Sequence, residues 1–295
     1  MEAAHTPVLV EEVIRWLRIK PAGIYIDATV GLGGHAVEIA KRLTTGKLIG
    51  LDRDTQALEI ARERLKEFGR NVTLVHANFE ELDEVARGLG FSQVDGVLAD
   101  LGVSSMQLDR PERGFSFRAA GPLDMRMDNS AEGTADEIVN GWSERELADV
   151  LYTLGEEHDS RRIARAIVRS RPIRSTEHLA TVVAGARHMG GRQKLHPATK
   201  TFLALRIAVN RELEALGQFL LRTPATLNSE GRVVVLSYHS LEDRLVKYSF
   251  REQAAAGVLR ILTKKAVQAP AEEIHNNPRS RSVKLRAAEK TEGLR

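Results

Sequence analysis

The chain reads as an α/β protein, a doubly wound parallel sheet interrupted by an all-helical insertion, and three observations predict it. An apolar run over 24–27 ends in small residues and three glycines, Gly31, Gly33 and Gly34, after which the pattern turns helical. Three further apolar runs follow at the rhythm of strand and helix, and two of them end in an acid, Asp52 and Asp100. The alternation stops at Leu101 and resumes at about residue 228, with a helical block of about a hundred residues between.

Taken in order, residues 5–19 predict a helix starting near Pro7, with Leu9, Val13, Ile14 and Leu17 as its apolar face. The first strand runs into the glycine turn, and Val37, Ile39, Ala40 and Leu43 give the next helix its stripe. Residues 47–52 form a second strand, and 54–68 a helix with Ala57, Ile60, Ala61, Leu65 and Phe68 inward. A strand over 71–76, a helix over 80–89 and a strand over 94–100 complete the first half. Residues 101–121, rich in Gly, Ser and Pro, read as loop. Helices follow over 134–154, 160–170, 175–189 and 198–221, the last returning the chain to a fifth strand over 231–237. A helix over 241–254 precedes two final strands, 258–262 and 282–286, read as a terminal hairpin around a polar loop over 268–278. The division this implies is 1–105 with 210–295 for the sheet domain and 106–209 for the insertion.

Composition narrows the function classes. With 42% hydrophobic and 28% charged residues the 295-residue chain is ordinary for a globular protein. No apolar stretch approaches the roughly 20 residues of a membrane span. No charged-then-apolar leader opens the sequence, so the expected compartment is the cytoplasm. The absence of cysteine excludes disulfides, thiolate metal sites and a cysteine nucleophile. The nine histidines show no ligand-like spacing with carboxylates, and no metal site is expected. The net charge of +3 is modest but clustered. Arg161, Arg162, Arg165, Arg169, Arg171 and Arg174 crowd one stretch, with Arg187, Arg192, Lys194 and Lys200 beyond, and Arg279, Arg281, Lys284, Arg286 and Lys290 crowd the tail. Such clusters are solvated helix faces or contacts for a phosphate-rich partner.

The chemistry gathers at the carboxyl ends of the strands, where open α/β sheets bind ligands. Gly31-x-Gly33-x-x-Ala36 resembles a nucleotide-binding fingerprint, with free backbone N–H groups at the helix start. Asp52 lies twenty-one residues after Gly31, where a carboxylate accepts from ribose hydroxyls or, alternatively, caps the helix from Thr55. Phe79 covers an adenine face or packs beneath the next helix. Asp27 and Asp100 reach the same rim. A dinucleotide and S-adenosylmethionine both suit this corner.

Longer motifs separate them. The blocks His5-Thr6-Pro7-Val8-Leu9, Asp27-x-Thr29-x-Gly31-x-Gly33-Gly34-His35, Asp100-Leu101-Gly102-Val103-Ser104-Ser105-x-Gln107-Leu108-Asp109 and Arg113-Gly114-Phe115-Ser116-Phe117 are present. So are the stretches from Pro197 to Ile207, from Ser237 to Arg244 and from Asn277 to Ser282. Nearly end to end, the chain resembles the ribosomal RNA small subunit methyltransferase H family, bacterial enzymes that methylate the exocyclic N(4) amine of a decoding-region cytidine in 16S ribosomal RNA. The resemblance implies a class I (Rossmann-like) methyltransferase fold with an inserted helical substrate-recognition domain. It implies S-adenosylmethionine as cofactor, Gly33, Gly34 and His35 at its methionine end, Asp52 at its ribose, Phe79 beside its adenine, and Asp100 and Gln107 completing the site. The implied partner is 16S ribosomal RNA within the small ribosomal subunit. The sequence leaves the oligomeric state open, a homodimer included.

A cytosine amine is a poor nucleophile because its lone pair is delocalised into the ring, so an acceptor for its proton helps. Asp100 is the candidate, with a purely cofactor-binding role as the alternative. Tyr238 and His239 follow the fifth strand and either orient the base or pack and cap the helix from Ser240. Arg161, Arg162 and Arg165 are candidate RNA contacts, or partners of Glu156, Glu157 and Asp159. Two other functions use part of the same pattern: an NAD-type oxidoreductase on the glycine corner, and a non-catalytic RNA-binding assembly factor.

Overall fold

A computed structural model of the chain describes residues 7–187 and 196–292, so His5, Thr6, Arg192, Lys194 and the end of the helix expected over 175–189 lie outside the described residues. The chain divides into two compact units, residues 1–102 with 213–295 and residues 103–212.

The first unit opens with α1 (Val10–Leu17), β1 (Ile24–Asp27), α2 (Gly34–Ala40), β2 (Lys47–Asp52), α3 (Thr55–Arg64), β3 (Val72–His76), α4 (Leu82–Gly88) and β4 (Val94–Asp100). The second carries α5 (Ser105–Asp109), α6 (Ala135–Gly141), α7 (Glu144–Thr153), α8 (Ser160–Arg169), α9 (Thr176–Ala186) and α10 (Thr199–Asn210). The chain then runs through α11 (Glu212–Thr226), β5 (Leu227–Ser237), α12 (Ser240–Ala255), β6 (Leu259–Ile261), α13 (Ala271–Asn276) and β7 (Lys284–Lys290).

The seven strands lie in the order β3-β2-β1-β4-β5-β7-β6. β1 to β5 are parallel, and β7 runs antiparallel between β5 and β6. Alternate residues feed two apolar layers, as the period of a strand requires. Tyr25, Leu48, Leu98 and Val234 pack with α1, α2 and α3, while Ile26, Ile49, Val97 and Val235 pack with α4, α11 and α12. The parallel strands therefore carry apolar residues toward both faces and leave polar ones for their carboxyl ends. The terminal strands pair as expected, but β7 takes the inner place, so the hairpin's second strand closes on β5.

The second unit has its own core, built from Ile138, Leu147, Leu151, Ile163, Ile167, Leu179, Val183 and Leu205. Its long irregular segment is pinned by buried side chains. The Arg113 guanidinium donates to the carbonyls of Arg126 at 3.1 Å and Met127 at 2.9 Å. The Asn210 amide donates to the Met125 carbonyl at 2.7 Å and accepts from the Met127 N–H at 2.8 Å. Backbone groups that no helix or strand satisfies are thereby paired.

Several predicted elements divide or shift. The helix expected over 134–154 is two, because Ser143 and Glu146 form a capping box that starts α7 after Trp142. The same device, Ser104 with Gln107, starts α5 inside the stretch read as loop. The helix expected over 198–221 breaks at Arg211, which adopts φ 49°, and the Arg206–Glu212 ion pair at 2.8 Å spans the break. The polar loop over 268–278 contains α13. The helix at the start begins at Val10 rather than near Pro7, since the Leu9 N–H donates to Glu273 Oε1 at 2.8 Å and Leu9 itself is left-handed. The helix expected over 54–68 ends at Arg64 and continues as a 3-10 turn, and that over 80–89 begins at Leu82 after another.

Candidate active site

Four strand ends of the first unit meet at one rim, and the backbone joins them. The Ala28 N–H donates to the Leu98 carbonyl at 2.8 Å, the Val30 N–H to Leu51 at 2.8 Å, and the Leu101 N–H to Leu236 at 3.0 Å. The Asp100 N–H donates to Thr29 Oγ1 at 2.7 Å, which ties the ends of β1 and β4 side by side. Between β1 and α2 the chain passes through Gly31 at φ 51° and Gly33 at φ 85°, a path that side chains resist. A Cβ at Gly34 would stand 3.1 Å from Pro7, so this corner is bare backbone.

Asp52, at the end of β2, accepts from the Gly31 N–H at 2.8 Å and the Asp54 N–H at 2.8 Å. It thus braces the glycine turn, while each oxygen keeps a lone pair for a further donor. Burial pushes its carboxyl above the ordinary value, opposed by those two N–H groups. The helix cap proposed as its alternative role belongs to Asp54, which accepts from the N–H groups of Gln56 and Ala57.

Asp27 and His35 are buried behind the turn, 1% and 6% exposed, and Asp27 Oδ2 and both ring nitrogens of His35 have no hydrogen-bond partner. Burial opposes a charge on His35, but Asp100 and Asp27 outweigh it and raise its imidazolium above the ordinary range. His35 Nε2 lies 3.5 Å from Asp100 Oδ2, and Tyr238 donates its hydroxyl to Asp100 Oδ1 at 2.8 Å. The Asp100 side chain is itself 21% exposed, more open than the buried Asp27.

Not every predicted residue joins them. Phe79 is buried and packs edge-on against Phe219, with ring centroids 5.6 Å apart, so its ring is a core contact beneath the rim. His239 caps α12: its Nδ1 accepts from the Glu242 N–H at 3.5 Å, and its Nε2 meets Glu242 Oε1 at 3.1 Å. Histidine–carboxylate pairs therefore do occur here: His35 meets Asp100 only through the fold, whereas His239 and Glu242 stand three residues apart in the chain. Gln107 belongs to the second unit, where its Oε1 accepts from the Ser104 N–H at 3.0 Å. Arg161, Arg162 and Arg165 are exposed on α8, with Arg165 3.2 Å from Glu144. Glu157 and Asp159 meet Arg187 at 3.4 Å and 4.0 Å. Asp27 carries no assigned role in the sequence motifs, and its burial became visible only in three dimensions.

The donor set fits S-adenosylmethionine: bare N–H groups and orphaned polar atoms at the end of β1 suit an amino-acid head, and Asp52 suits a ribose. The antiparallel β7 also departs from the 3-2-1-4-5-6 sheet of the dinucleotide binders. Fold and rim together define a class I, S-adenosylmethionine-dependent methyltransferase. The chain belongs to the MraW methylase family, whose model matches residues 2–291. Three proteins named "Ribosomal RNA small subunit methyltransferase H" are similar along nearly their whole lengths. That of Koribacter versatilis is 56% identical over 97% of this chain and 93% of its own. That of Solibacter usitatus is 53% identical over 97% and 99%, and that of Cyanothece sp. 50% identical over 99% and 97%.

Asp52→Ala is expected to weaken S-adenosylmethionine binding by about 1.5–3 kcal/mol, the range for hydrogen bonds to a charged group. Calorimetric titration checks it, and unchanged affinity would remove Asp52 from the ribose site.

Proposed function

We propose that this chain methylates the exocyclic N(4) amine of a cytidine in the decoding region of 16S ribosomal RNA, acting on the small ribosomal subunit in the cytoplasm. The observation that carries the reading is Asp100, a partly open carboxylate held at the glycine rim by Tyr238 and His35. The relatives' shared name supports the RNA substrate.

S-adenosylmethionine supplies an already electrophilic methyl group on a sulfonium. Asp52 and the glycine turn hold the donor, so that alignment rather than activation is the main demand. As the N–C bond forms and the S–C bond breaks, the amine sheds one proton, and Asp100 accepts it. Accepting the amine N–H also returns electron density to the nitrogen lone pair.

Methylation of naked ribosomal RNA, small subunits and whole ribosomes side by side tests the reading, with the modified base identified by mass spectrometry. Methyl transfer to a cytosine N(4) of the small subunit is the expected result. Transfer to another base, or none to any of the three, would overturn it.

The arginines of α8 contribute phosphate contacts in this reading, which add affinity without reading sequence. Neutralising Arg161, Arg162 and Arg165 together is expected to weaken RNA binding and flatten its salt dependence, by a slope of about 0.7 per lost contact on single-stranded RNA. S-adenosylmethionine affinity should stay as in the wild type. A triple variant with lowered thermal stability and an unchanged salt slope would make these arginines structural partners of Glu144 and its neighbours.

A further inference from the structure

Asp100 is hydrogen-bonded on one oxygen and faces a histidine with the other, both partners belonging to its own unit. Tyr238 donates to Oδ1 at 2.8 Å, and His35 Nε2 stands 3.5 Å from Oδ2. The tyrosine is in turn fixed from below. Its N–H donates to Glu242 Oε2 at 2.8 Å, the oxygen that also accepts from the His239 N–H at 3.2 Å. The capping box of α12 thereby sets the direction in which the Tyr238 side chain leaves the backbone. Gly102 adopts φ 104°, and a Cβ there would stand 3.4 Å from Tyr238 Cδ2, so the ring also rests against bare backbone. A phenol has one proton to give. In Tyr238 that proton is committed to Asp100, and burial pushes the hydroxyl well above its ordinary range, so it remains a donor at every working pH.

We propose that Tyr238 is a positioning residue for methyl transfer, holding the Asp100 carboxylate in the one orientation from which its outer lone pairs meet the amine. The terminal torsion of an aspartate is broad, so a partly exposed carboxylate without a donor on Oδ1 samples several orientations. An acceptor displaced by about 1 Å forfeits most of the benefit of alignment. The charges that face the pair are His35 and Asp27 from the β1–α2 side, Glu242 from α12 and Glu273 from α13. This assignment differs from stacking on the base, which would use the ring and not the hydroxyl, and it rests on Asp100 being the proton acceptor.

The test is Tyr238→Phe, which removes one oxygen and keeps the ring. S-adenosylmethionine affinity by calorimetry and the KM for small subunits should match the wild type. Turnover should fall ~10–100-fold. The acid limb of the kcat–pH profile should move to higher pH, because a carboxylate stripped of a donor holds its proton more tightly. Gly102→Ala is the second variant: it retains the phenol, meets the ring at ordinary contact distance, strains the backbone at φ 104° on which the ring rests, and should lower kcat in the same direction with the acid limb moved the same way. Wild-type kcat with an unmoved acid limb in Tyr238→Phe would overturn the proposal. So would a raised KM at unchanged kcat, the signature of a stacking surface. If Tyr238→Phe does not fold, the acid limb of Gly102→Ala decides, and an unmoved limb counts against the proposal. The reading beneath it fails separately, when Asp100→Asn turns over as the wild type does.

Discussion

Asp100→Asn is expected to bind S-adenosylmethionine within about twofold of the wild type and to lose ~10²–10⁴-fold in turnover, the range for a lost general base. The amide keeps the shape of the rim and still offers one oxygen to the Tyr238 hydroxyl, which stands 2.8 Å from Oδ1. What it loses is the charge facing His35 and the ability to take a proton. The consequence falls on the step in which the amine sheds its proton, and not on assembly of the complex. Equilibrium titration of the donor, paired with single-turnover methyl incorporation into small subunits, separates the two. A loss confined to donor affinity would make Asp100 a binding residue and leave the proton acceptor unassigned.

Asp27→Asn is expected to change how stability depends on pH. Burial holds the Asp27 carboxyl up at about 7 from an ordinary 3.8, with His35 and the Thr29 N–H opposing the rise, and Asp100 and Asp52 adding to it. A carboxyl that binds its proton more tightly in the folded chain favours the fold at low pH. That contribution is complete below about pH 4 and disappears by about pH 7, so this group makes the wild type less stable as pH rises. At 1.36 kcal/mol per pKa unit the whole effect is about 4 kcal/mol, of which about 3 kcal/mol falls between pH 5 and 8. Asparagine keeps an oxygen for the Thr29 N–H, which lies 3.3 Å from Oδ1, and carries no charge to bury. The variant should therefore gain on the wild type by that amount in urea unfolding as pH is raised from 5 to 8. Parallel stability profiles for the two proteins would show that Asp27 titrates as an ordinary carboxyl.

Much of the site was legible because it is local. The glycines, the acids at Asp27, Asp52 and Asp100, and the strand patterns before them are consecutive features of the chain. A strand repeats every two residues, so its apolar run marks where it ends and which polar residue arrives at the rim. The capping boxes at Ser104 and Ser143 were equally local, and reading the apolar stripe alone passed over them.

Other features had no local signal. Beside the break at Arg211, the Asn210 amide is taken up by the carbonyl of Met125, 85 residues away. Phe79 packs edge-on against Phe219, and nothing near Phe79 in the chain announces that partner. Tyr238 reaches Asp100 across 138 residues because β4 and β5 are neighbours in the sheet, with Asp100 in register with Leu236. Periodicity and motif determined which residues stand at strand ends, since each depends on its own neighbours along the chain. The tertiary structure decided which of them touch, because hydrogen bonds and ring contacts form between atoms brought within a few ångströms by strand order and helix packing.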